Sequence, residues 1–146
     1  MRPFIILAAL AVFTPLPAIA ASSCSTVTAS TNRATKIADA ALVRRTDRGI
    51  LSAASKRNLG PVNIGQVMSD GAWRLIWVNA KDSERSVYFF RRGPKGGFNL
   101  IDTWGGVMAP DDRQGGIDWA RKLKGGGTSL HLAGCFADAI VAESGG

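Results

Sequence analysis

The fold is decided by the stretch Ser69-Asp70-Gly71-Ala72-Trp73-Arg74-Leu75-Ile76-Trp77-Val78. Asp70-Gly71 supplies the positive φ that a tight hairpin turn needs. After it, side chains alternate along a strand. Trp73, Leu75 and Trp77 fall on one face, and Arg74, Ile76 and Val78 on the other. Upstream, Val62 to Met68 is β-prone and completes the hairpin. Downstream, Asn79 to Ser86 is a polar loop and Val87 to Arg92 (VYFFRR) is a third strand. Gly93-Pro94-Lys95-Gly96-Gly97 is a turn. Phe98 to Trp104 is a fourth strand, with Phe98, Leu100, Asp102 and Trp104 alternating with Asn99, Ile101 and Thr103. Four strands joined by short connections predict an antiparallel meander.

Helical patterns flank the meander. Thr31 or Asn32 suits an N-cap, and Ala34, Ile37, Ala38, Ala41 and Leu42 follow at helical spacing. Asp47-Arg48-Gly49 predicts a break. Ile50 to Asn58 predicts a second short helix, with Ile50, Leu51 and Ala54 on one side and Gly60-Pro61 as its stop. After the meander, Gly105-Gly106 bends the chain, and Pro110 with Asp111 or Asp112 suits a helix start, the aspartates as N-caps. Ile117 to Lys124 reads as a short helix, its charges ordered to complement the helix dipole. Gly125-Gly126-Gly127 ends it. Ser129 caps a last helix to about Glu143, with Leu132, Phe136, Ala139 and Ile140 on its apolar face. Strands in a run with helices segregated from them indicate an α+β domain, its N- and C-terminal helices packed on one face of the sheet. This layout is similar to that of cystatin-like and NTF2-like architectures. No motif identifies either family, and such folds host many functions.

The N-terminal residues read as an export signal. Arg2 is a positive start, Phe4 to Phe13 (FIILAALAVF) is apolar, and Ala18-Ile19-Ala20 is a small-x-small cleavage site. The expectation is a cleavable leader over residues 1–20 and one domain over 21–146. The apolar run is shorter than the roughly 20 residues that a span or anchor needs. A lipoprotein signal fits less well, because Ala21 stands where a Leu-like residue is required before Cys24. Export, to a bacterial periplasm or beyond, makes a Cys24–Cys135 bridge the expected state of the two cysteines rather than two free thiols. It would close a loop of about 110 residues, worth roughly 4.7 kcal/mol in the chain-entropy model.

Eighteen Lys plus Arg against 11 Asp plus Glu give a net charge of +7. The cations cluster as Arg44, Arg45 and Arg48, as Lys56 and Arg57, as Arg91, Arg92 and Lys95, and as Arg121, Lys122 and Lys124. Such an excess attracts anionic partners, or simply solvates the surface. In an exported protein the partners are a protein or an anionic envelope component. The compartment argues against nucleic acid.

Catalytic signatures are sparse. His131 is the one histidine, so with both cysteines bridged a Cys/His zinc site cannot be assembled. Arg113 spoils a calcium loop starting at Asp111. Walker, dinucleotide-binding and nucleophile-elbow motifs are missing. No cofactor or metal is expected. His131 reads as an ordinary helix histidine, though a triad through it would need only a serine and an acid brought near. Asp102, on an apolar face, is expected to pair with Arg74, Arg91 or Arg92. Arg74, Arg91, Arg92, Asp102 and Trp104 are the candidate binding residues, since aromatics mixed with arginine suit anionic ligands and protein interfaces. The leading expectation is a non-enzymatic binding domain, working through the sheet face or the Trp104 to Arg113 bend. The alternatives are a small hydrolase or isomerase with Asp102 or Asp111 as base in a curved sheet, and a purely structural envelope protein.

Overall fold

A computed structural model describes residue 24 and residues 33–54, 63–79 and 85–145. The leader, the caps Thr31 and Asn32, Lys56, Arg57 and the Gly60-Pro61 stop lie outside the described residues. The order is α1 (Arg33–Ala54), β1 (Asn63–Asp70), β2 (Trp73–Asn79), β3 (Ser86–Arg92), β4 (Phe98–Gly105), a 3-10 turn (Pro110–Asp112), α2 (Arg113–Arg121) and α3 (Leu130–Ser144). The four strands form one antiparallel sheet in sequence order. The α+β class and the meander are as expected.

The sheet is covered on both faces. Trp73, Leu75, Trp77, Val87 and Phe89 pack against Ile117 and Ala120 of α2 and Leu132, Phe136 and Ile140 of α3. On the opposite face Val67, Ile76, Val78 and Phe90 pack against Val43 of α1. The expectation that all helices share one face is therefore corrected. The reason lies in β2, whose Ile76 and Val78 are as fully buried as its Leu75 and Trp77. A sheet apolar on both faces has to be covered on both.

Helix α1 also departs from its predicted face. Asp39, Ala40 and Val43 are buried, while Ile37 is 63% exposed and Ala38 and Ala41 are exposed. The cause is an ion pair. Arg74 Nη2 lies 2.7 Å from Asp39 Oδ2, and Arg74 Nε donates to Asp39 Oδ1 at 2.8 Å. The two side chains are 16% and 5% exposed. Turning Asp39 inward carries Ala40 and Val43 onto the sheet and leaves Ile37 outside. The backbone of α1 runs through Asp47-Arg48-Gly49 without the expected break. One interior glycine costs a helix only about 1 kcal/mol.

Two edge-strand bulges bend the sheet. Ile64 pairs with Val78 and Val67 with Ile76, so β1 carries one extra residue. In β4 the pairs Phe90–Leu100 and Phe89–Asp102 leave Ile101 extra. The second bulge switches faces. Phe98 and Leu100 pack with the α1-side core, whereas Ile101 and Trp104 pack with the α2–α3 core. The strict alternation expected for Phe98 to Trp104 is broken there.

The C-terminal half begins with the 3-10 turn. Asp112 occupies the N-cap of α2 in an αR conformation without a side-chain capping bond, so the expected aspartate cap is not made. α2 starts four residues before the expected Ile117. Ser129 does cap α3, accepting from Leu132 N at 3.0 Å. Gly127 closes the link between the helices at φ +63, where a Cβ would stand 1.9 Å from the Arg121 carbonyl oxygen. Cys135, buried in α3, is bridged to Cys24 across a separation of 111 residues, with Cα atoms 5.6 Å apart.

Three outcomes follow. Alkylation of the denatured, unreduced chain leaves both thiols unlabelled by intact mass; labelling of both refutes the bridge. Asp39→Ala strands Arg74 in the sheet–α1 interface and lowers unfolding free energy by about 3 kcal/mol in urea titration. Gly127→Ala, which meets both the positive φ and the Arg121 carbonyl, costs at least about 2 kcal/mol in the same assay.

Candidate functional site

The candidate site is the end of the sheet where the β1–β2 and β3–β4 turns lie. The meander places both turns at the same end, and the link between α2 and α3 joins them. The Ser129 hydroxyl hydrogen-bonds Asp70 at the end of β1. Arg91, on β3 opposite Trp73, brings its guanidinium against Gly125, where a Cβ would lie 3.1 Å from Nη1. Two basic clusters about thirty residues apart in sequence thereby meet. Arg91, Arg92 and Lys95 come from the β3–β4 turn, and Arg121, Lys122 and Lys124 from the end of α2 and the link after it. All except Arg91 are exposed. Among the described residues none of the six forms an ion pair.

Arg91 has the least satisfied surroundings. Its Nε is buried and has no hydrogen-bond partner. Arg92 points to the other face, its guanidinium carbon 5.2 Å from the centre of the Phe98 ring, a cation–π contact. Five turn glycines with positive φ adjoin this end, Gly71 and Gly127 among them. Gly96 has φ +82, Gly125 φ +88 and Gly126 φ +105. A side chain at Gly96 or Gly126 would meet nothing within 4 Å, so these glycines answer to the positive φ of their turns rather than to crowding.

The five sequence candidates do not converge. Arg74 is committed to Asp39 and also donates to Ser69 Oγ at 3.1 Å, which is a structural role. Arg91 and Arg92 belong to the basic end. Asp102 is exposed and accepts from the next residue's amide, Thr103 N, at 2.8 Å, rather than pairing with an arginine. The Ile101 bulge is what takes it out of the pattern. Trp104 is half-buried in an aromatic cluster, its ring centre 5.0 Å from that of Trp119 and 5.7 Å from that of Phe136. Lys122 and Lys124 were legible only as a separate cluster, because their meeting with Arg91 depends on where the α2–α3 link falls.

The opposite end carries a cleft of about 370 Å³ lined by Arg85, Gly106, Val107, Ile140, Glu143 and Ser144. It lies on the Trp104 to Arg113 bend singled out in the sequence. Val107 is 80% exposed at its lip. Arg85 Nη1 and Glu143 Oε2, 2.8 Å apart, form an ion pair at its margin, and Met108 N donates to Ser144 Oγ at 3.1 Å. Nearby, Arg113 Nε donates to Asp138 Oδ1 at 2.5 Å and clamps α2 to α3. That hydrogen bond raises the Arg113 pKa above its ordinary value. Asp102 and Asp111 do not line the cleft. Among the described residues no three His, Cys, Asp or Glu side chains are grouped to hold a metal.

The fold and site thus define a disulfide-closed α+β domain with a basic end. Comparison with protein-family models, with curated proteins and with solved structures finds no match.

The convergence at the basic end has a measurable consequence. Gly125→Ala places a methyl against the Arg91 guanidinium at a positive φ. Amide exchange in that variant accelerates at the β3–β4 turn and the α2–α3 link together, and not at the Arg85–Glu143 cleft. Acceleration confined to the link would show that the two turns are uncoupled.

Proposed function

We propose that the chain is an exported, periplasmic binding domain that recognises an anionic envelope component through its basic end. The leader-like N-terminus motivates export. The Cys24–Cys135 disulfide is compatible with it, as is the lack, among the described residues, of a helix long and apolar enough to cross a membrane. The observation that carries the reading is the gathering of Arg91, Arg92, Lys95, Arg121, Lys122 and Lys124 at one end without ion-pair partners. Like charges held together raise the local potential and repel one another. A partner of opposite sign relieves that repulsion and gains affinity from it.

Recognition, rather than turnover, is the work assigned to this end. Its functional groups are cations, which bind and orient anionic groups. Asp70, the carboxylate at the end of β1, already accepts from Ser129.

Retention of the oxidised full chain on an anionic polymer matrix tests the reading. Replacing Arg92, Lys95, Lys122 and Lys124 by glutamine weakens binding by roughly a thousandfold, at about 1 kcal/mol per cation near an anionic surface. Replacing Arg44 and Arg45 on α1, which are exposed and outside this end, leaves it within about twofold. Equal loss per charge in both variants would reduce the effect to net charge and sink the proposal.

A further inference from the structure

Arg91 differs from the cations around it. The others project into solvent, whereas Arg91 lies on the α2–α3 face of β3 with its Nε shut away from water and unbonded. A buried donor without an acceptor costs about 1–3 kcal/mol, more when it belongs to a charged group. Elsewhere on the sheet the fold avoids that cost, since Arg74 is given both oxygens of Asp39. At Arg91 no carboxylate among the described residues plays that part. What stands against the guanidinium is Gly125, at φ +88 the first of three consecutive glycines with positive φ. The hydrogen bonds closing this turn use the amides of Gly127, to Leu123 O at 2.9 Å, and Thr128, to Ala120 O at 3.1 Å.

We propose that Arg91 and the Gly125–Gly126 backbone form a seat for a phosphate group, with Lys95, Lys122 and Lys124 as its cationic rim. The proposal rests on the reading of this end as the binding surface, and names the chemistry bound there. A guanidinium presents paired donors that match two oxygens of a phosphate. Glycine at positive φ lets an oxyanion approach backbone N–H groups that a Cβ would shield. A phosphate monoester carries about 1.5 to 2 negative charges near neutral pH and offers three oxygens, so it can meet the anchor and the rim together; a single carboxylate cannot. The phosphate comes from a lipid headgroup or from a free phosphate compound.

The test is a titration of the oxidised full chain with inorganic phosphate at constant ionic strength. It follows the Arg91 Nε–H and the Gly125 and Gly126 amides in proton–nitrogen spectra. The expected result is saturable movement of these signals. Arg91→Gln should weaken saturation at least about tenfold, the loss of a charge-assisted bidentate contact. Lys122→Gln with Lys124→Gln should weaken it less. Should Arg91→Gln fail to fold, Arg91→Lys keeps the charge, removes the planar donor pair and is expected to bind more weakly than the native chain. Shifts that follow chloride as readily as phosphate, or that survive loss of Arg91, overturn the seat. Flotation with phosphatidic acid vesicles, against phosphatidylcholine vesicles, separates the sources. Vesicle binding displaced by free phosphate assigns a headgroup, and saturation by phosphate without vesicle binding assigns a free compound. If the seat fails while the native chain still binds the anionic matrix and the four-site variant does not, only this inference falls. If the matrix is not bound either, the functional reading falls with it.

Discussion

The structure depends on the central strand β2 being buried on both sides. Its Leu75, Ile76, Trp77 and Val78 are all removed from solvent, two toward each face. A strand of that kind cannot sit in a sheet with one wet face. The helices are therefore divided, α1 to one side and α2 with α3 to the other. The cover on the two sides is of different quality. The α2–α3 side is an aromatic core, with Phe136 ring centres 5.0 Å from Phe89 and 6.3 Å from Trp77. The α1 side is smaller and rests on Val43 and the Asp39–Arg74 pair. Burying that pair stabilises little in itself, but it fixes the rotation of α1, because any other rotation leaves Arg74 half-buried without a counter-charge.

The disulfide acts on the stronger side. Cys135 lies in α3 among Leu132, Ala133 and Phe136, and Cys24 packs against the same core. The crosslink thus ties a residue that precedes α1 to the helix on the opposite face of the sheet. Its long loop favours a large effect on the unfolded chain. Trp77 and Trp104 bury indole N–H groups in this core without hydrogen-bond partners. Dense aromatic packing is accepted there at the expense of polar satisfaction, a compromise more tolerable when a covalent link also holds the layer.

Much of this was legible. The Asp70-Gly71 hairpin, the four strands, the Ser129 cap and the Cys24–Cys135 pairing all follow from local chemistry that tertiary packing did not override. The misses share a cause. Ile37 and Asp39 mislead because an apolar residue faces out and an acid faces in, and only the distant Arg74 explains the exchange. Asp102 misleads because a bulge at Ile101 changes the face of every residue after it, and nothing local marks that residue as the extra one. The two-sided burial of β2 was readable in the run Leu75-Ile76-Trp77-Val78, where apolar residues occupy both parities. Alternation drew attention to Arg74, and the apolar pair Ile76 and Val78 behind it carried the better information. The basic end could not be read from the chain alone, because Arg91 and Lys124 become neighbours only through the α2–α3 link.

That link gives the domain a direction. α2 runs toward the basic end and α3 runs away from it, so the cleft and the cations lie at opposite ends of the same helical layer. At the cleft end the charges of the described residues are paired or acidic: Arg85 with Glu143, and Asp111 and Asp112 on the exposed 3-10 turn. At the other end the cations stand without ion-pair partners among the described residues. The proposed anionic partner would favour this end over the cleft end, since the field acts on the charge distribution and not on one contact. Under that proposal the basic end faces the partner, and its tips, Pro94-Lys95-Gly96-Gly97 and Lys124-Gly125-Gly126-Gly127, are small and polar, with Leu130 just beyond them the exposed apolar residue. Contact made by such tips is electrostatic and reversible, weakened by salt over a screening length of about 8 Å at physiological ionic strength. Long-range attraction of that kind selects for sign alone, and finer discrimination requires a half-buried group such as Arg91, whose guanidinium is held against Gly125.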